Sequence, residues 1–489
     1  MKRLRSWIGL PLCSHAGVGL LLLVLLAPFA AAAPQDGGNI MQQVDAAIRA
    51  EMQRQKVPGV ALGIVRHDKV IAVKGYGDAN VELDVPVSAE TLFQSGSVGK
   101  QFTATAVMLQ VEDGKLALDD SITQYFTDAP PSWRPITVRH LLTHTSGIPN
   151  YEEPNVANSN DGTKLDFRRD YTEEELTRIA YHMPLLFAPG SRWSYSNTGY
   201  VLLGILIHKV SGRFYGDVLK ERVFTPLGMK TARIISEADI VPHRAAGYEL
   251  VNGQLKNQEW VSPTLDTTAD GSLYLSILDF IAWDRGLRAH AVLKPESWAQ
   301  IYTPVKLNSG KPFPYGFGWY VEESKGGAWY HHGGAWQGFR TYISRYLADD
   351  LTIVVLTNLA QADPARFVDD VVRIIDPRLQ QIEPATPIPD RDSSLNARVR
   401  SLLAAAAEGK LSAQDLPFAP EEFAESAKQF EQLLRPLGGL RRLDLVDRRD
   451  MGDDQVSTYI AVYADRTVRV TVALAPDNRI ADFAIRDES

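Results

Sequence analysis

The sequence predicts an α+β fold: an antiparallel sheet assembled from both ends of one large domain, a helical insert between them, and a small α+β domain behind. Three observations predict it. Strand-like runs stand near the start, at 60–66 and 69–75, and return over 315–357 with many aromatic and β-branched residues. The stretch between them carries mainly helical patterns. A group of prolines, Pro377, Pro384, Pro387 and Pro389, then breaks the pattern before a second set of helices and strands begins.

Taken in order, residues 1–33 read as a secretory signal peptide. Lys2, Arg3 and Arg5 precede an apolar run from Val18 to Ala30, and Ala31 to Ala33 offer small residues for cleavage. The run is too short to span a membrane comfortably. The expected location is therefore outside the cytoplasm, periplasmic or extracellular, with no membrane attachment after cleavage. Cys13 is the single cysteine and lies in this segment, so a chain cut near Ala33 has no thiol, disulfide or cysteine metal site. Cleavage also moves the formal charge from −8 to −11, because three basic residues and no acidic ones leave. An acidic chain without a basic run is a poor partner for nucleic acid. With 489 residues, 45% of them hydrophobic and 22% charged, the chain can bury a sizeable core without staples.

Residues 40–56 carry Ile40, Val44, Ala47, Ile48 and Met52 on one helical face. The strands Val60–Arg66 and Lys69–Gly75 are joined at His67 and Asp68, as in a hairpin. Val98–Glu112 reads as a helix stopped by Gly114, Thr172–Glu175 as a capping box, and Thr198–Val210 as a helix ended by Gly212. Late strands are expected at Tyr315–Glu322, Ala328–His332, Gly338–Tyr346 and Leu351–Thr357, followed by a helix at Pro364–Ile375. The domains are then 34–376, a Pro-rich linker over 377–394, and a small unit over 395–489. That unit should hold two helices, near Leu395–Glu408 and Glu421–Leu434, and four strands between Leu440 and Ile485. Asp477 and Asn478 form its last turn.

Three stretches carry chemistry. In Ser97-Val98-Gly99-Lys100 the serine and lysine share a helix face. A hydroxyl needs a base to become a nucleophile, and a lysine serves if burial lowers its pKa. The helix start adds positive potential and points the Ser97 N–H toward a developing oxyanion. Ser-x-x-Lys alone arises by chance about once in a chain this long. In Tyr195-Ser196-Asn197 a tyrosine held as phenolate beside a lysine can act as base, and Asn197 can bond both the lysine and a substrate amide. In His331-His332-Gly333-Gly334-Ala335, glycine lets a substrate backbone approach a strand edge, His332 would face the site, and the Ala335 N–H would be the second oxyanion donor.

Taken together these stretches resemble the penicillin-recognising serine hydrolases: class C β-lactamases, D-alanyl-D-alanine carboxypeptidases, D-aminopeptidases and related esterases. The matching stretches are Phe93 to Ala104, Leu141 to Pro149 (LLTHTSGIP), Pro189 to Tyr200, Pro226 to Met229 and His332 to Phe339, in the family's order and covering about 40–376. The resemblance implies a β-lactamase/transpeptidase-like fold and an acyl-enzyme on Ser97. It implies that Lys100 and Tyr195 carry the proton, and that Asn197, His332, Gly333 and Ala335 bind substrate. No cofactor or metal is implied, and the expected partner is a small molecule or peptide. The oligomeric state is left open.

His332 stands where β-lactamases carry a lysine for the substrate carboxylate. A histidine is mostly neutral near pH 7, so peptidase, amidase or esterase activity is expected over β-lactam turnover. Protonation toward pH 6 would restore the cation. The alternatives are a β-lactamase or a non-catalytic penicillin-binding relative. An α/β-hydrolase elbow would need glycine at 95, where the chain has Ser95. His140 and His144 could share a helix face as zinc ligands. Arg340 could hold a carboxylate or stand on the surface, and Trp336 could line the pocket or pack.

Overall fold

The computed structural model describes residues 37–152, 165–234, 239–380, 386–412, 414, 416, 420–464 and 466–487. The expected signal peptide, with Cys13, lies outside these residues, as does Pro384 of the linker. Among the described residues no helix is long and apolar enough to cross a membrane.

The chain opens with helix α1, Gly37–Gln55, and the hairpin β1, Gly59–Arg66, and β2, Lys69–Asn80. His67 and Asp68 turn between them with φ of 50° and 57°, the backbone of a two-residue hairpin loop. A short strand β3, Val85–Pro86, borders β2. Helix α2, Lys100–Glu112, and helix α3, Asn197–Ser211, belong to the insert, and helix α4, Ile277–Arg288, follows. The late strands are β4, Tyr320–Ser324, β5, Gly327–Trp336, β6, Phe339–Tyr346, and β7, Leu351–Thr357, with helix α5, Pro364–Ile375, behind.

These strands make one seven-stranded sheet in the order β4-β5-β6-β7-β1-β2-β3. Both ends of the domain meet where β1 pairs antiparallel with β7, from Val60↔Thr357 to Arg66↔Leu351. β1 (GVALGIVR) is apolar up to Arg66 because both its faces are covered. On one face Val60, Leu62 and Ile64 meet Val44 and Ile48 of α1 and Phe367, Val368, Val371 and Val372 of α5. Each such buried side chain contributes about 1.5–3 kcal/mol. On the other face α4 lies so close that a Cβ on Gly63 would sit 2.9 Å from Ile277.

α2 and α3 form the heart of the insert. From Lys100 to Gln110 every residue of α2 is buried, and it packs on α3, so neither helix has a polar face. The capping box at Thr172 and Glu175 opens a helix at Glu173–His182, and Gly212 ends α3 in the left-handed region.

The expected strand at Tyr315–Glu322 is shorter than its composition suggests, since only Tyr320–Ser324 pairs with β5. The preceding residues loop inward. Gly318 takes φ 74°, and a Cβ there would meet the Lys100 carbonyl carbon at 2.8 Å. The expected end of a strand at His332 is also revised: β5 runs on to Trp336, paired with β6 throughout.

The C-terminal part has its own core. Helices α6, Ser393–Ala407, and α7, Pro420–Leu434, contribute Leu395, Val399, Leu403 and Leu434. They pack against strands β8, Arg442–Met451, β9, Asp454–Val462, β10, Thr467–Leu474, and β11, Ile480–Asp487. The turn between β8 and β9 touches the larger domain, where Gly452 N–H donates to the Pro312 carbonyl at 3.0 Å. Arg192 approaches Asp454 at 3.6 Å nearby.

Candidate active site

Ser97 sits in a 3₁₀ turn, Gly96–Gly99, that runs straight into α2. In such a turn side chains three apart eclipse, which brings Lys100 Nζ to 3.0 Å from Ser97 Oγ. The turn is held from three sides. Ser95 N–H donates to the Leu273 carbonyl, and the Thr341 hydroxyl donates to the Ser95 carbonyl at 2.6 Å. β5 lies against the turn so closely that a Cβ on Gly334 would be 2.1 Å from the Ser95 oxygen. Gly96, at φ 50°, has the reciprocal role, since a Cβ there would be 2.3 Å from the Ala335 nitrogen. The Ser97 turn and the Ala335 backbone therefore share one crevice.

Lys100 is fully buried. Besides Ser97 it reaches Asn197 Oδ1 at 2.6 Å and the Asp270 carbonyl at 2.5 Å. Desolvation lowers its pKa to about 8, against the opposing pull of the Asp270 and Glu152 carboxylates. A neutral amine here can donate to Asn197 and Asp270 and still offer its lone pair to the Ser97 proton.

The Tyr195 hydroxyl is shut off from solvent without a full hydrogen bond. Burial pushes its pKa well above 10, and the nearby Ser97 opposes this only in part. The expectation of a resident phenolate is revised accordingly: Tyr195 is a phenol, 4.8 Å from Lys100 Nζ measured to the ring centroid. Its ring lies on His144, with centroids 4.2 Å apart. His144 also fixes the backbone on both sides of Tyr195, accepting from Ser194 N–H through its carbonyl and from Ser196 N–H through Nδ1. His140 instead closes a capping box with Thr137. The two histidines thus serve separate backbone segments.

Asn197 uses both ends of its amide inside the protein, since Nδ2 donates to Glu152 Oε2 at 2.7 Å. Glu152 stands at the open side of the site. Desolvation and the neighbouring Asp270 raise its pKa. Asp270 accepts from the Tyr151 hydroxyl at 2.7 Å, while its Oδ1 is buried with no partner. With Ser97, Asn197, Ala335 and Trp336 these acids line a narrow cleft. Of the two alternatives for Trp336 the structure has it lining the cleft, with its indole N–H donating to Asp266 at 2.6 Å. Nothing in the sequence marked Glu152 or Asp270, since both lie in loops without periodicity.

His332 differs from expectation. It is 2% exposed, Nδ1 is 2.6 Å from the Gly333 carbonyl, and Nε2 is 3.0 Å from the Tyr315 hydroxyl. Burial holds its pKa near 3, so acidification to pH 6 would not charge it. Both nitrogens are engaged within the protein, and a substrate carboxylate finds no cation there. Arg340 has its Nε bonded to the Ala360 carbonyl, within electrostatic reach of Glu152. Gly333 is not demanded by packing, because a Cβ would meet Tyr342 at an ordinary 3.5 Å. β4 pairs with β5 only up to Tyr320↔His331, so among the described residues no strand covers that edge of His332–Trp336.

The chain is similar to known proteins. The chain is 30% identical to penicillin-binding protein 4* of Bacillus subtilis (strain 168) over 295 residues, 58% of this chain and 64% of that protein. It is 28% identical to a D-aminopeptidase of Gluconobacter oxydans (strain 621H) over 323 residues, 65% of this chain and 58% of that protein. It thus spans about 58–64% of the length of these two curated relatives. The solved octameric penicillin-binding protein homologue from Pyrococcus abyssi superimposes with a TM-score of 0.60 at 25% identity, over 92% of this chain and 96% of that one. The family model described as Beta-lactamase matches residues 44–375, which contain the whole sheet and every residue of the cleft, and the chain belongs to that family.

Proposed function

We propose that this chain is an exported serine hydrolase that cleaves small amides, peptides or esters through an acyl-enzyme on Ser97, with an amine-bearing substrate preferred. The observation that carries the chemistry is Lys100, desolvated, at hydrogen-bond distance from Ser97 Oγ and with a pKa of about 8. As the Oγ–carbon bond forms, the Ser97 proton passes to Lys100 Nζ. The carbonyl oxygen becomes an oxyanion facing the Ser97 and Ala335 N–H groups. The carbon–nitrogen bond then breaks as the Tyr195 phenol gives its proton to the departing amine, and the Lys100 ammonium returns a proton to Tyr195. Water, deprotonated by the same lysine, releases the acid and restores Ser97.

The preference for an amine rests on the cleft's lining. Glu152 and Asp270 face it, and no cation is among the described residues that line it; Lys100 lies beneath Ser97 and Arg340 within electrostatic reach of Glu152. An ammonium group would gain charge-assisted bonds there, whereas the carboxylate of a β-lactam would meet two acids. The D-aminopeptidase relative supports the same reading. A panel of D- and L-aminoacyl amides, D-Ala-D-Ala peptides, p-nitrophenyl esters and nitrocefin tests it. Turnover of free-amine amides above their N-acetylated forms is expected. Nitrocefin as the best substrate would overturn it.

A further inference from the structure

His144, Tyr315 and His332 are buried side by side, 1%, 0% and 2% exposed, between the segment that carries Tyr195 and the strand that carries Ala335. Their polar atoms form one line. Ser196 N–H points to His144 Nδ1 at 3.1 Å, and His144 Nε2 lies 3.3 Å from the Tyr315 hydroxyl. That hydroxyl lies 3.0 Å from His332 Nε2, and His332 Nδ1 is 2.6 Å from the Gly333 carbonyl. The two ends have fixed polarity: a backbone N–H only donates and a carbonyl only accepts. With both rings neutral these ends place the ring protons, and the Tyr315 hydroxyl, which also neighbours the Tyr200 oxygen, is given to the acceptor left on His332. His144 carries its proton on Nε2 and gives it to Tyr315, the Tyr315 hydroxyl donates to His332 Nε2, and His332 carries its proton on Nδ1.

We propose that Tyr315 is a positioning residue: through this one-way line it ties the backbone next to Tyr195 to the backbone of the Ala335 oxyanion strand, and it holds both histidines in single neutral tautomers. This goes beyond the hydrolase reading, because the tie exists whatever the substrate. The surroundings favour neutrality throughout. Lys100 repels a proton on either ring, and His331 repels one on His332. Tyr195, Tyr200 and Tyr320 crowd the same space as neutral phenols. The nearby Glu322 carboxylate is taken up by His331 and approached by Arg449. A Tyr315 without its hydroxyl leaves a donor on His144 and an acceptor on His332 facing each other across a gap, and the tie is cut.

Two measurements test this on the full chain. Long-range proton–nitrogen NMR correlations of wild type should show His144 protonated on Nε2 and His332 on Nδ1, both neutral at pH 6. The opposite tautomer at either ring, or a charged His332, overturns the proposal without any need for activity or for a folded variant. In Tyr315→Phe the His332 Nε2 signal should shift as its donor is lost. Ser97 labelling by a fluorophosphonate should slow by roughly ten- to a hundredfold, the scale of a small misplacement of reacting groups, at unchanged half-saturation. Labelling as fast as wild type overturns it. Failure of Ser97 to label in wild type would instead count against the hydrolase reading and leave the tautomer result standing.

Discussion

Lys100 Nζ lies 2.6 Å from Asn197 Oδ1, and Asn197 passes its other amide end to Glu152, so the proposed base and a cleft carboxylate are joined through one side chain. The base at one end of this link is desolvated to a pKa of about 8. A group that must be deprotonated gains function as pH rises through its pKa. Acylation of Ser97 at low substrate should therefore climb with a midpoint near pH 8 and then level off. Lys100→Arg, which stays charged, should lose activity at every pH. A flat profile between pH 6 and 9 would exclude Lys100 as the base.

Glu152→Gln keeps a hydrogen-bonding partner for Asn197 and removes one charge from the cleft. For amine-bearing amides kcat/KM should fall by roughly ten- to a hundredfold, the cost of one charge-assisted bond of about 1.5–3 kcal/mol. Neutral esters should change little. Steady-state kinetics on an amino amide and its N-acetylated form reads the difference directly, and an equal loss on both would assign Glu152 to structure.

The two neighbouring glycines of β5 should answer alanine differently. Gly334→Ala would drive a methyl into the Ser95 carbonyl, which is backbone and cannot swing aside. Loss of Ser97 labelling together with a lower Tm is expected, since overpacking costs about 1–3 kcal/mol. Gly333→Ala meets only ordinary contact with Tyr342. Its melting temperature should stay near wild type in calorimetry.

Ending the chain near Asp390 removes a unit with its own core, and the larger domain should still fold. Its reactivity should not be untouched. The β8–β9 turn bonds Pro312, next to Phe313, which stacks on Trp193 with centroids 4.2 Å apart, two residues before Tyr195. Slower fluorophosphonate labelling by the shortened chain is expected. Arg192→Ala should do little by itself, because a half-exposed pair at 3.6 Å contributes about 0–1 kcal/mol. Equal labelling rates for full and shortened chains would show that the turn does not steady this segment.

What the sequence revealed of the site was local. Ser97 and Lys100 are three residues apart on one turn, and periodicity alone puts them together. β1, β7 and α5 were legible because their apolar patterns match the faces they bury. Glu152, Asp270 and Tyr315 were not, since the first two reach the cleft and the third reaches the histidines only through tertiary approach of irregular loops. Tyr315 was placed in a strand by its aromatic neighbours, but Gly316 and Gly318 fold that stretch under Lys100 instead. His332 was given a charge-binding role from its position in a motif, and only the three-dimensional surroundings reveal both nitrogens engaged.

The pairing of β1 with β7 also sets a schedule for synthesis. Val60 meets Thr357, roughly 300 positions later in the chain. At translation rates of about 5–20 residues per second, β1 waits roughly 15 to 60 s for its second neighbour. Until then one edge of an almost wholly apolar strand has only water beside it, and contacts this distant in sequence form slowly even afterwards. The nascent chain is thus expected to depend on whatever holds it apart from its own copies during that interval.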